Sequence, residues 1–94
     1  MGRGAMANFL DAEFEKAAAE ATRLSEEPDS ATKLRLYALY KQGKEGDCAR
    51  PRPGMTDFVG KAKHDAWTAL KGLSQDEAKQ AYIALVKELK QANE

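Results

Sequence analysis

Residues 50–72 read RPRPGMTDFVGKAKHDAWTALKG, and this stretch decides the fold because it separates one helix from another with a stiff turn. Pro51 and Pro53 fix their own φ and push Arg50 and Arg52 toward extended backbone, so no helix runs through from the preceding segment. Gly54 then permits a sharp turn. A third helix is predicted from a start between Asp57 and Gly60 to an end at Gly72, with Phe58, Ala62, Ala66 and Leu70 as its core side at intervals of four. Lys61 and Lys63 fall off that stripe. Lys63 and Trp67, the sole tryptophan, stand one turn apart and share a face. That is either a cation beside an aromatic plate for a ligand or a solvated lysine beside a core anchor.

Upstream, Asp29 or Ser30 is placed to cap a second helix running from about Ala31 to Gly43. Its apolar residues fill a wide arc, with Leu36, Leu39 and Tyr40 on one side and Leu34, Tyr37 and Ala38 on another, so it either packs between two neighbours or keeps one side for a ligand. Lys33, Tyr37 and Lys41 recur at steps of four with Tyr40 beside them, which reads as a ligand strip or as a solvated charge row above core tyrosines. The connection from Gly43 to Gly54 is long for a helix bundle and is expected to cross over it. A first helix is predicted over Phe9–Ser25, where Leu10, Phe14, Ala17, Ala18, Ala21 and Leu24 keep the 3,4 spacing. Its alanines let a second helix or a flat ligand approach closely. Downstream, Ser74 and Glu77 form a capping box that opens a last helix with Ala78, Tyr82, Leu85, Val86 and Leu89 inside. Four helices, no strands and a long central connection predict an all-α four-helix bundle, with residues 1–8 as a loose tail and 9–94 as the domain.

The totals narrow the chemistry. Fifteen basic and fifteen acidic residues among 94 cancel, which argues against a general nucleic-acid or anionic-membrane binder and confines any anion site to a local cluster. The single Cys48 forbids an internal disulfide, and no apolar run approaches the length of a membrane span, so a cytoplasmic protein without membrane insertion is expected. Cys48 and His64 lack the companions that a triad or a metal site requires, and Gly60-Lys61 lacks the spacing of a phosphate loop. Catalysis is therefore not expected, and no cofactor or metal is implied. Binding chemistry survives: lysines, tyrosines and spare apolar surface suit a ligand with phosphates, an aromatic ring and an apolar tail.

The motifs Tyr37-Ala38-Leu39-Tyr40-Lys41-Gln42, Gly46-Asp47, Arg52-Pro53-Gly54-Met55-Thr56-Asp57-Phe58, Gly60-Lys61-Ala62-Lys63, Asp65-Ala66-Trp67 and Ala81-Tyr82-Ile83 resemble the acyl-CoA-binding protein family. The likeness runs from Phe14-Glu15-Lys16-Ala17-Ala18 to about Leu89. The resemblance implies a monomeric, non-catalytic carrier of medium- to long-chain acyl-CoA esters. It puts the ligand along Tyr37, Ala38, Leu39, Tyr40 and Lys41, with Tyr37, Tyr40 and Lys41 on the CoA head group. Lys63 is implied to pair with the ribose 3′-phosphate and Tyr82 to lie against the adenine. Ala17 and Ala18 are implied to leave room along the first helix, and Leu34 to line the acyl chain. His64 stands where the family usually has a second tryptophan, Val59 where it often has lysine, and Thr22 where a basic residue is frequent. Those departures leave a second reading, a helical protein-interaction module whose ligand site has decayed.

Overall fold

The computed structural model describes residues 2–93, with side chains described from Phe9 onward. The tail expected at residues 1–8 lies partly outside these bounds, at Met1, as does the expected end of the domain at Glu94. Four helices follow in order, α1 (Gly2–Ala21), α2 (Ser30–Glu45), α3 (Phe58–Thr68) and α4 (Gln75–Asn93), and the described residues include no strand. α4 packs against both α1 and α2, while α3 packs chiefly on α2. α2 is thus the shared wall of the molecule, which accounts for its wide apolar arc.

Each helix end has a local cause. α1 begins ahead of the periodic run at Phe9 and stops at Ala21, short of the predicted Ser25. There, Thr22 N and Arg23 N bond three residues back, to the carbonyls of Ala19 and Glu20, and the Thr22 hydroxyl caps Ala19 O at 2.7 Å. Asp29 caps α2 by accepting from Thr32 N at 2.8 Å. Asp57 caps α3 through Gly60 N at 2.9 Å, and a Cβ at Gly60 would run into the Asp57 carboxylate. The Ser74–Glu77 box opens α4, with Glu77 N on Ser74 Oγ at 3.0 Å and Ser74 N on Glu77 Oε1 at 3.1 Å.

α3 ends at Thr68, four residues before the predicted Gly72. Leu70 N and Lys71 N bond three residues back to Trp67 O and Thr68 O, which tightens the chain into turns. Gly72 still serves a glycine's purpose: its φ is +94°, and its N–H donates to Asp47 at 2.9 Å. The predicted core stripe of α3 also needs correction. Phe58 is 74 % exposed, because α3 packs chiefly on α2 and its first turn is left open to solvent.

The core joins α1, α2 and α4 through Phe14, Ala17, Leu39, Tyr82 and Val86, all buried. Phe14 stacks on Tyr40 with ring centres 5.3 Å apart and meets the edge of Tyr82 at 5.2 Å. The long connection, residues 46–57, has two prolines without N–H groups and is fastened by side chains instead. Trp67 Nε1 donates to Gly46 O at 2.9 Å, Lys61 Nζ to Met55 O at 3.2 Å, and the Arg52 guanidinium forks onto Asp65 at 3.0 and 2.9 Å. Fully buried Gln42 donates to both Asp47 and Leu73 O at 2.8 Å, so the start of the connection and the α3–α4 turn are tied to α2.

Candidate functional site

Three hollows meet at one side chain, Tyr37. The first, about 390 Å³, is a trough between α2 and α3. Ser30, Lys33, Leu34 and Tyr37, at the 3,4 spacing of one helix face, form its α2 wall. Phe58, Val59, Ala62 and Lys63 form its α3 wall. The second, about 370 Å³, is a shallow hollow lined by Ala18, Ala21 and Thr22 of the α1 side and by Leu36, Tyr37, Tyr40 and Tyr82. The third, about 250 Å³, lies under the proline connection, where Tyr37, Lys63, His64 and Trp67 face Cys48, Arg50, Pro51 and Pro53. Tyr37 lines all three, and Lys63 lines the first and third.

The charges around this junction are unevenly engaged. Lys63 Nζ sits 4.9 Å from the Tyr37 ring centre, exposed and in no ion pair among the described residues. Lys41 is bound to Glu45, and Arg50 reaches the same carboxylate at 3.0 Å, which holds Glu45 below the usual carboxylate range, chiefly through the Lys41 hydrogen bond. Both cations also flank Trp67, at 5.2 and 5.4 Å from its ring. Lys33 is paired with Glu27, whose pKa its hydrogen bond lowers. Burial pushes the Tyr82 phenol up from its ordinary value, with Tyr40 and Glu15 adding to the effect, so it stays protonated at neutral pH.

The residues singled out from sequence divide by position. Tyr37, Lys63 and Leu34 meet in the trough, and Tyr37, Tyr40, Tyr82 and Ala18 in the tyrosine-lined hollow. Tyr40 and Tyr82 also carry the aromatic core, so only part of each ring is available. Ala17, Ala38 and Leu39 are buried at 4, 3 and 4 % exposure and face the interior. They shape the site by letting the helices approach and offer a ligand no surface. Lys41 is turned toward Trp67 and Glu45, beside the third hollow. Lys63 and Trp67 do not form one plate: Lys63 lies over Tyr37, while Trp67 is buried at 2 % exposure as a support.

Sequence reasoning missed Phe58 and Val59 as site walls. Their exposure, 74 and 69 %, in an otherwise well-packed domain was the missing signal, and periodicity had assigned Phe58 to the core. Cys48 and His64, distant in sequence, share the third hollow. His64 Nε2 donates to Arg50 O at 2.8 Å, and its buried Nδ1 points toward Asp65 at 3.6 Å. Cys48 Sγ turns to the same carbonyl, Arg50 O, at 3.9 Å. The described residues hold no group of three His, Cys, Asp or Glu side chains suited to a metal.

Known proteins share this sequence pattern and this fold. The chain is 50 % identical over 76 residues to acyl-CoA-binding protein homolog 1 of Caenorhabditis elegans, covering 81 % of this chain and 88 % of that one. It is 47 % identical over 94 residues to enoyl-CoA delta isomerase 2 of Rattus norvegicus, covering all of this chain but 24 % of the rat protein's length. Among solved structures it resembles acyl-CoA-binding protein 2 of Oryza sativa with a TM-score of 0.85 and 40 % identity, over 88 % of this chain and 92 % of that one. The ACBP of Moniliophthora perniciosa matches with a TM-score of 0.83 and 34 % identity, over 89 and 83 %. Residues 11–86 match the family described as acyl CoA binding protein, and the chain belongs to that family.

Proposed function

We propose that this domain binds acyl-CoA esters and carries them without transforming them. The observation that supports this best is the junction at Tyr37, where an apolar trough, a tyrosine-lined hollow and a basic hollow adjoin. An acyl chain would lie on Leu34, Phe58, Val59 and Ala62. The adenine would enter between Tyr37, Tyr40 and Tyr82, above the small side chains Ala18 and Ala21. Lys63 would take a phosphate, the ribose 3′-phosphate in our assignment, and Lys41 would reach the head group on release from Glu45.

The magnitudes favour the chain as the main source of affinity. Burying ten methylenes is worth about 8 kcal/mol before ordering costs, against about 1.5–3 kcal/mol for a charge-assisted bond from Lys63. The carrier reading is supported by the chemistry of the hollows, which present cations and phenols suited to holding phosphates and an aromatic ring. No described helix is long and apolar enough to cross a membrane; separately, we propose that the domain acts as a monomer in the cytoplasm.

Titration calorimetry with palmitoyl-CoA, free CoA and palmitate tests the proposal. Palmitoyl-CoA is expected to bind far more tightly than either part, with one ligand per chain and no thioester loss on incubation. Equal, weak binding of all three sinks it.

A further inference from the structure

The trough has a cation at each end, which the acyl-chain assignment alone does not require. At one end Lys63 lies over Tyr37. At the other stand Ser30 and Lys33, with Leu34, Phe58, Val59 and Ala62 as the apolar middle. Lys33 is half-exposed at 49 % of its side chain, and its Nζ is held by the still more exposed Glu27, at 78 %, on the α1–α2 connection. The stem of Lys33 therefore walls the trough while its ammonium turns to Glu27, with which it also lines a hollow under the α1–α2 connection. Ser30 and Tyr37 are seven residues apart on α2, about 10.5 Å along the helix axis. An extended chain advances about 3.6 Å over three bonds, so roughly nine bonds cover that span. A chain of about eight to ten carbons that enters at Tyr37 ends beside Ser30, within one helical turn of Lys33.

We infer that the trough accepts acyl-CoA esters whose medium-length chain ends in a carboxylate, with Lys33 and Ser30 receiving that terminal group. The inference rests on the acyl-CoA reading above and deepens it. An unpaired carboxylate at the end of an apolar trough is strongly penalised, whereas one received by an ammonium and a hydroxyl is not. Glu27 is the competing anion: its rotation to solvent frees Lys33, and its weak, exposed pairing opposes that little. A chain of sixteen carbons overshoots the cation and gains nothing from a terminal charge.

Calorimetry on the whole chain decides the matter, using decanoyl-CoA and the mono-CoA ester of the ten-carbon α,ω-dicarboxylic acid. The quantity read is the ratio of the two dissociation constants within each protein, which cancels any general effect of a substitution on the trough. In the native chain the terminal carboxylate is expected to weaken binding by no more than about threefold. In Lys33→Met the penalty is expected to grow by about tenfold or more, the low end for a charge-assisted bond at a half-exposed site. In Glu27→Gln the ratio is expected to move severalfold in favour of the carboxylate ester. A penalty equal in the native chain and Lys33→Met overturns the inference and leaves acyl-CoA binding standing. Failure of decanoyl-CoA and palmitoyl-CoA alike to bind the native chain overturns both.

Discussion

Replacing Lys63 with methionine isolates the cation from the scaffold. The ammonium is exposed, lies 4.9 Å from the Tyr37 ring centre and is in no ion pair among the described residues, so folding has little invested in it. An exposed cation–π contact contributes about 0.5–1 kcal/mol, and the expected loss of folding stability is therefore below about 1 kcal/mol. Binding is a different matter if Lys63 receives a phosphate. A charge-assisted bond at an exposed site falls at the lower end of about 1.5–3 kcal/mol, which weakens binding by about ten- to thirtyfold. The assignment to the ribose 3′-phosphate is checked with a double-mutant cycle, in which palmitoyl-CoA and its 3′-dephospho analogue are titrated into the native chain and Lys63→Met. Removing the phosphate is expected to cost the native chain the same ten- to thirtyfold and to cost the variant almost nothing. The penalty should also shrink as added salt shortens the screening length. Independent, multiplying penalties would refute the pairing, and a variant that binds palmitoyl-CoA as tightly as the native chain would remove Lys63 from the site.

Other expectations test the supports. Trp67→Phe removes the donor to Gly46 O and leaves that carbonyl without its partner, so chemical denaturation should show a loss of about 2 kcal/mol with the helices otherwise intact by circular dichroism. Gly60→Ala drives a methyl into the Asp57 carboxylate and disrupts the α3 cap, and a loss of about 1–2 kcal/mol is expected in the same assay. Asp47 is held below its ordinary range chiefly by the Gly72 N–H and then by Gln42, and Asp65 by the Arg52 fork followed by His64. Groups depressed on folding contribute their stability above their unfolded pKa and lose it as pH falls through the folded one. The denaturation midpoint should therefore hold steady down to about pH 4 and decline below it, with a shallower decline in Asp47→Asn.

How far the sequence carried depended on the range of the interaction. The caps at Asp29 and Ser74–Glu77 were legible because each is closed within three residues. The inner face of α4 was legible because Ala78, Tyr82 and Val86 keep helical spacing against a single buried neighbourhood. The same rule misplaced Phe58, since periodicity reports which residues share a face and not whether anything covers that face. The end of α3 was misjudged for a related reason. Gly72 marks a left-handed turn, but the turn is held by Asp47, twenty-five residues away. Within the motif from Tyr37 to Lys41, spacing set Leu39 on a different side from Tyr37 but did not separate Ala38, which faces the core, from Tyr37, which faces the hollows.

The stretch at residues 50–72 fixed by itself that a helix must stop before two prolines and another must begin after Gly54, because those constraints are steric and local. Composition and helical periodicity determined the all-α class, and the motifs determined the family. Only the tertiary structure decided that α3 packs chiefly on α2, and from that packing choice the site follows. It leaves Phe58 and Val59 uncovered, sets Lys63 over Tyr37, and aligns Lys33 with the far end of the same trough. Which surfaces remain open depends on which helices meet, and that is settled by contacts between residues far apart in the chain.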